Sequence, residues 1–153
     1  MRDQFLEKIQ LGDTYLIRMM PDEDIIAGIK KFCEKRGIRR AVINSGVGSA
    51  KEVVIRDPRA GAKIPVEPSK VNEINLMGPY EICALEGNVF PLEDEIIVHL
   101  HITLGSEDGT VYGGHVMRAK VWTTLELILT EIYNSRCRRE KSKVTGLNEL
   151  LFD

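Results

Sequence analysis

Residues 95–105, EIIVHLHITLG, alternate so regularly that one local structure suits them best. Successive side chains of a β-strand point to opposite faces of the sheet. Val98, Leu100, Ile102 and Leu104 then form an unbroken hydrocarbon face that has to meet a core. His99, His101 and Thr103 share the other face, so the histidines look into a cleft, a subunit contact or water. The stretch 99–115 also holds every histidine of the chain.

The segments around it read as strands joined by glycine and proline. TYLIRMM at 14–20 predicts a first strand. PDEDIIAGIKKFCEKRG, residues 21–37, predicts a helix. Its acidic residues suit the N-terminus, Ile25, Ile26, Ile29, Phe32 and Cys33 form one apolar stripe, and Lys35, Arg36 and Gly37 suit the C-terminus. RRAVINSGVGSAKEVVIRD predicts two strands joined through Gly46 and Gly48. A proline-rich loop at 57–69 precedes further strands in VNEINLMG, YEICALEGNVF and TVYGGHVM. In TTLELILTEI, Leu125, Leu127 and Leu129 alternate with Glu126, Ile128 and Thr130, again the period of a strand. From Asn134 the tail is polar and basic, and GLNELLF near its end is expected to dock on the body. One helix and many strands predict an α+β domain with a largely antiparallel sheet. A single domain is expected over 1–153, with its core at 14–132 and the basic tail at 134–153.

Composition bounds the function. The 43% hydrophobic and 29% charged content is that of a soluble globular chain, and no apolar run nears the ~20 residues of a membrane helix. MRDQFLEKIQLGD has no apolar stretch of the secretory kind, so a cytoplasmic protein with no membrane partner is expected. A net charge of −2 disfavours a chain built mainly to hold nucleic acid. Lys35, Arg36, Arg39 and Arg40, and then Arg136, Arg138, Arg139, Lys141 and Lys143, are basic clusters without interleaved aromatics. They read first as solvated helix ends or tail. Three cysteines far apart, with no C-x-x-C pair, give no zinc ribbon and no dithiol motif. Cys33 and Cys83 are expected to pack as small core residues.

Whether His115 joins the other two histidines depends on the turn at SEDGT. A three-residue loop Glu107-Asp108-Gly109, with Gly109 left-handed, pairs Ser106 with Thr110 and sets His101 opposite His115. A two-residue Asp108-Gly109 turn instead pairs Ile102 with His115 and turns that ring toward the core. A bulge at Gly113-Gly114 would also shift the register. The longer loop separates apolar from polar residues more cleanly. It brings His99, His101 and His115 together as a donor set for Zn²⁺ or another divalent transition metal, with an open position for water or a ligand. Gly113 and Gly114 would let backbone pass close to such a ligand, although a strand irregularity explains them as well.

HLHITLGSEDGTVYGGHV, with GPYEICALEGNV before it and TTLELIL after, resembles the plants-and-prokaryotes-conserved (PPC) domain over roughly Thr14 to Ile132. The D-G-x-V-x-G-G-H stretch after an H-x-H strand carries most of the likeness. The resemblance implies an antiparallel sheet flanked by helices and assembled as a homotrimer. In plants the domain accompanies AT-hooks and serves protein interaction and nuclear targeting. No Arg-Gly-Arg-Pro core occurs here, so the DNA-binding half of the plant role does not carry over. Pro79 and Tyr80 stand where the plant motif has Arg and Phe, a departure that bears on the plant interaction specificity.

Three functions follow as expectations. The first is a trimeric, regulatory or interaction-type module holding zinc on the three histidines. The second is a zinc-dependent hydrolase or lyase using a metal-bound water, with Glu81 or Glu126 as general base. The third is a DNA-associated regulator using the basic clusters. The residues single out no small-molecule ligand.

Overall fold

The computed structural model describes residues 6–152; the ends of the expected 1–153 span, residues 1–5 and 153, lie outside them. The chain runs β1 (Gln10–Met19), α1 (Ile25–Arg36), β2 (Ala41–Pro58), β3 (Val71–Leu76), β4 (Tyr80–Leu92), β5 (Glu95–Gly105), β6 (Val111–Tyr133), β7 (Arg138–Lys141) and β8 (Asn148–Leu151). The main sheet has the order β1-β6-β5-β4-β2-β3, and β2 also pairs with β6. All its pairings are antiparallel. Because β6–β5–β4–β2 returns to β6, the sheet closes on itself, which leaves few unpaired edges.

The core follows from the alternation. Leu100 and Leu104 on β5 and Leu125, Leu127 and Leu129 on β6 are fully enclosed. Ile25, Ile29 and Cys33 of α1 complete the same cluster, with Ile26 and Phe32 packed at its margin. Asp24 caps the helix by accepting from the Ala27 amide, 2.9 Å away. Gly37, at φ +71°, ends it in the left-handed turn that glycine adopts without steric cost. Burial first, and then Glu131, push the Cys33 thiol up to about 12, so it serves as a packing group.

Several expectations need correcting. With one α-helix among the described residues, the chain is more β than the α+β class, and α1 alone stands where the resemblance implied flanking helices. The apolar segments of β5 and of the far half of β6 alternate with period two, and such segments belong in sheets. Gly46 and Gly48 do not separate two strands: β2 is one strand of 18 residues. They let it cross β6 closely, for Gly46 makes room for Leu85 and Leu125, and a Cβ at Gly48 would strike the Thr124 carbonyl. Cys83 is exposed because the β4–β5 register slips between Ile82 and Ala84 and carries it out of the core.

The basic tail is a hairpin, β7 paired with β8. Leu150 and Phe152 dock on a second apolar cluster of Phe90, Ile132 and Cys137. No helix among the described residues is long and apolar enough to cross a membrane.

Candidate metal centre

The turn that decides the site takes the three-residue form. The Ser106 amide donates to the Thr110 carbonyl at 2.9 Å, and the Gly109 amide to the Ser106 carbonyl at 3.0 Å. Gly109 has φ +82°, and the Asp108 side chain accepts from the Thr110 amide at 2.9 Å. His101 consequently pairs with His115, Ile102 with Gly114 and Thr103 with Gly113, with no bulge at the glycines. One ligand atom from each of His99, His101 and His115 can be chosen so that all three lie within 4.8 Å of one another. Ring centroids are 5.2 Å apart for His99 and His101, 4.9 Å for His99 and His115, and 5.5 Å for His101 and His115.

The donor chemistry fits a divalent transition metal. Burial, then Arg139, then the other two histidines bring the His99 pKa down to about 4. Burial, then His101, Arg56 and Arg139 lower that of His115, against an opposing pull from Asp57. Both rings are held neutral, the form that ligates. A tetrahedral zinc sets its nitrogens about 3.3 Å apart, so modest ring rotations would close the triad. His101 and His115 sit on paired strands and His99 one strand-period away, a placement that backbone hydrogen bonds fix.

Around the triad stand residues that the sequence reading did not single out. Asn88 is opposite His99 and Glu86 opposite His101, both on β4. Arg56 on β2 pairs with His115 and forms an ion pair with Glu73 at 3.0 Å. Arg139 arrives from the tail hairpin and is 6% exposed. Its Nη2 donates to Asn88 Oδ1 at 2.6 Å and to His99 Nδ1 at 3.0 Å, and its Nη1 to the Asn148 carbonyl at 2.9 Å. A usable signal existed for β4: the two-residue turn Glu93-Asp94 by itself sets Glu86 against His101. Nothing in the tail sequence marks Arg139 apart from its neighbours.

The expected general bases are not at the triad. Glu126 pairs with Arg18 and Val47 on a stretch of β6 far past His115. Glu81 pairs with Gly105, near the turn end of β5. Gly113 lies beside Thr103, while the space that a Gly114 side chain would take is filled by the Asp57 carboxylate. That contact accounts for Gly114 without a cofactor. The basic clusters are partly engaged within the chain. Arg36 lies over the Tyr15 and Phe32 rings at 4.9 and 5.1 Å. Arg39 donates to the Glu93 and Asp94 carbonyls, and Arg40 to that of Cys137.

Residues 7–133 match the model of the Plants and Prokaryotes Conserved (PCC) domain, also written PPC. The chain belongs to that family. A PPC protein of Pyrococcus horikoshii is 34% identical, with a TM-score of 0.83 over 97% of this chain and 96% of that one. A metal-containing protein of Archaeoglobus fulgidus is 29% identical, with a TM-score of 0.83 over 95% and 98%. A Bacteroides thetaiotaomicron protein named as a DNA-binding candidate is 24% identical with a TM-score of 0.78 over 94% and 97%, a likeness of fold alone. The bifunctional protein GlmU of Synechococcus sp. (strain JA-3-3Ab) is 26% identical over 138 residues, 90% of this chain. The PCC chain spans about a fifth of the length of the curated relatives it matches.

A pH experiment checks the electrostatics of the site. The folded, metal-free protein keeps His99 neutral to about pH 4, whereas the unfolded chain takes up that proton near 6.5. The unfolded state binds more protons in this interval, so stability is full above pH 6.5 and falls toward pH 4. Urea midpoints measured in chelator between pH 7.5 and 4.5 should fall less steeply for His99→Asn than for the wild type. Parallel curves would count against a depressed His99.

Proposed function

We propose that this PCC chain is a homotrimeric, cytoplasmic metal-binding module of regulatory or interaction type, with zinc held by His99, His101 and His115. The observation that carries the reading is the convergence of three ligand nitrogens on one face of the β5–β6 hairpin. Imidazoles without a thiolate or carboxylate in the set suit a borderline-soft ion. When bound, the metal would offer an open position with Lewis acidity. The metal-containing relative from Archaeoglobus adds support. Elemental analysis of protein purified without a histidine tag tests it: about one equivalent per chain is expected, and less than a third would refute it.

The trimer is supported by an apolar strip on the outward face of β1, β6 and β2. Leu16, 79% exposed, pairs with Ile128, and Val47 at 56% lies on β2 beside them. Exposed apolar strips of this kind mark contact surfaces. Sedimentation of the wild type should give about three times the 17.3 kDa chain mass. Leu16→Glu should shift it to monomer, and a monomeric wild type would remove the trimer.

A zinc-dependent hydrolase or lyase is favoured by one observation, the carboxylate of Glu86 directly opposite His101. Metal-dependent turnover of esters, phosphoesters or lactones that is lost in Glu86→Gln would select it. DNA association is weaker, because Arg36, Arg39, Arg40 and Arg139 are already engaged within the chain.

A further inference from the structure

Arg139 raises a question that metal ligation leaves open. Its guanidinium is withdrawn from water, and the three acceptors it meets are neutral: Asn88 Oδ1, the Asn148 carbonyl and His99 Nδ1. No ion pair to Arg139 is formed among the described residues. Its Nε is buried and has no acceptor at all. Buried charges are ordinarily paired, and a buried donor without an acceptor is a cost that native structures avoid. Nε and Nη2 together form the edge that grips two oxygens of a carboxylate or phosphate.

The bond to His99 bears on when that edge is free. An arginine only donates, so His99 Nδ1 accepts, and the neutral ring then carries its hydrogen on Nε2. With Nδ1 engaged and Nε2 protonated, neither nitrogen has a lone pair to give. Ligation by His99 therefore ends its bond to Arg139, whichever nitrogen binds. If Nδ1 is the ligand it leaves the guanidinium, and if Nε2 is the ligand Nδ1 takes the hydrogen and ceases to accept. Either route releases one Nη2 hydrogen beside the orphaned Nε, while the other stays on Asn88 Oδ1, next to a face that also carries Arg56 opposite His115.

Resting on the three-histidine reading, we propose that the site takes a small oxyanion, of carboxylate or phosphate class, held between the metal's open position and the Nε–Nη2 edge of Arg139. The tail hairpin is then part of the ligand site. Its docking on Phe90, Ile132 and Cys137 is what sets the guanidinium in place.

The test uses zinc-loaded, untagged, full-length protein whose metal content is measured first. Calorimetric titration is run with inorganic phosphate in one arm and acetate in the other. One anion per chain is expected to bind in at least one arm, and the responding arm assigns the phosphoryl or carboxylate source. Arg139→Lys keeps the charge but loses the fork, and should weaken that binding at least tenfold at unchanged metal content. Should Arg139→Lys not fold, the wild-type Arg139 Nε–H resonance decides: it should move on adding the anion to loaded protein and stay still in metal-free protein. Equal affinity in the loaded lysine variant, no anion binding by loaded wild type, or an Nε–H signal indifferent to the anion would overturn the proposal. Wild type that holds no zinc overturns the histidine reading beneath it, a failure visible before any anion is added.

Discussion

His101→Ala is expected to lower zinc affinity at least ~100-fold, since replacing a mere supporting partner of a metal ligand already costs about 10–100-fold. The substitution separates ligation from folding. His101 is an exposed residue on β5, with His115 opposite it on one side and Glu86 on the other. Truncating it opens no core cavity, so metal-free stability should stay within about 0.5 kcal/mol of the wild type. Competition against a chromophoric chelator gives the affinity, and a urea melt in chelator gives the stability. Unchanged affinity with an intact fold would remove His101 from the ligand set. A joint loss of both would mean that the ring is a structural prop.

The second large effect is expected at Gly87. This residue of β4 lies opposite Leu100 of β5. A Cβ there would strike the backbone carbonyl oxygen of His99 and come within 2.9 Å of the Leu100 side chain. A carbonyl fixed in a ladder cannot move aside as a flexible side chain can, so the two strands must part. Gly87→Ala should therefore cost about 3 kcal/mol or more, at the upper end of overpacking effects. Metal affinity should fall with it, since the carbonyl struck belongs to a proposed ligand. Gly61→Ala is the control. Its φ is +78° but the space around it is open, so backbone strain alone applies, about 1–2 kcal/mol. Equal midpoints for the two variants in urea would contradict the clash.

Much of this architecture is legible in the sequence because the strands are amphipathic with period two. The alternation of β5 fixes which face carries His99 and His101. The run Leu125, Leu127, Leu129 likewise orients the far half of β6. The hairpin register follows from requiring that polar and apolar residues stay on separate faces, which the Glu107-Asp108-Gly109 loop satisfies. What is not legible depends on contacts distant in the chain or on local irregularity. Cys83 looks like a core residue until the slip between Ile82 and Ala84 is known. Glu81 and Glu126 are plausible bases only while their strand positions are open. Gly46 and Gly48 resemble turn residues, yet their role is close passage of one strand over another. Arg139 reaches His99 across forty positions of sequence, through a hairpin whose strands are four residues each. No local pattern encodes such a contact.

Diffraction data collected on either side of the zinc absorption edge, from crystals of untagged protein, test the central claim most directly. The expected result is one anomalous peak per chain, about 2.0–2.1 Å from a nitrogen of each of His99, His101 and His115. A peak bound elsewhere, or none in crystals grown with zinc, would contradict it.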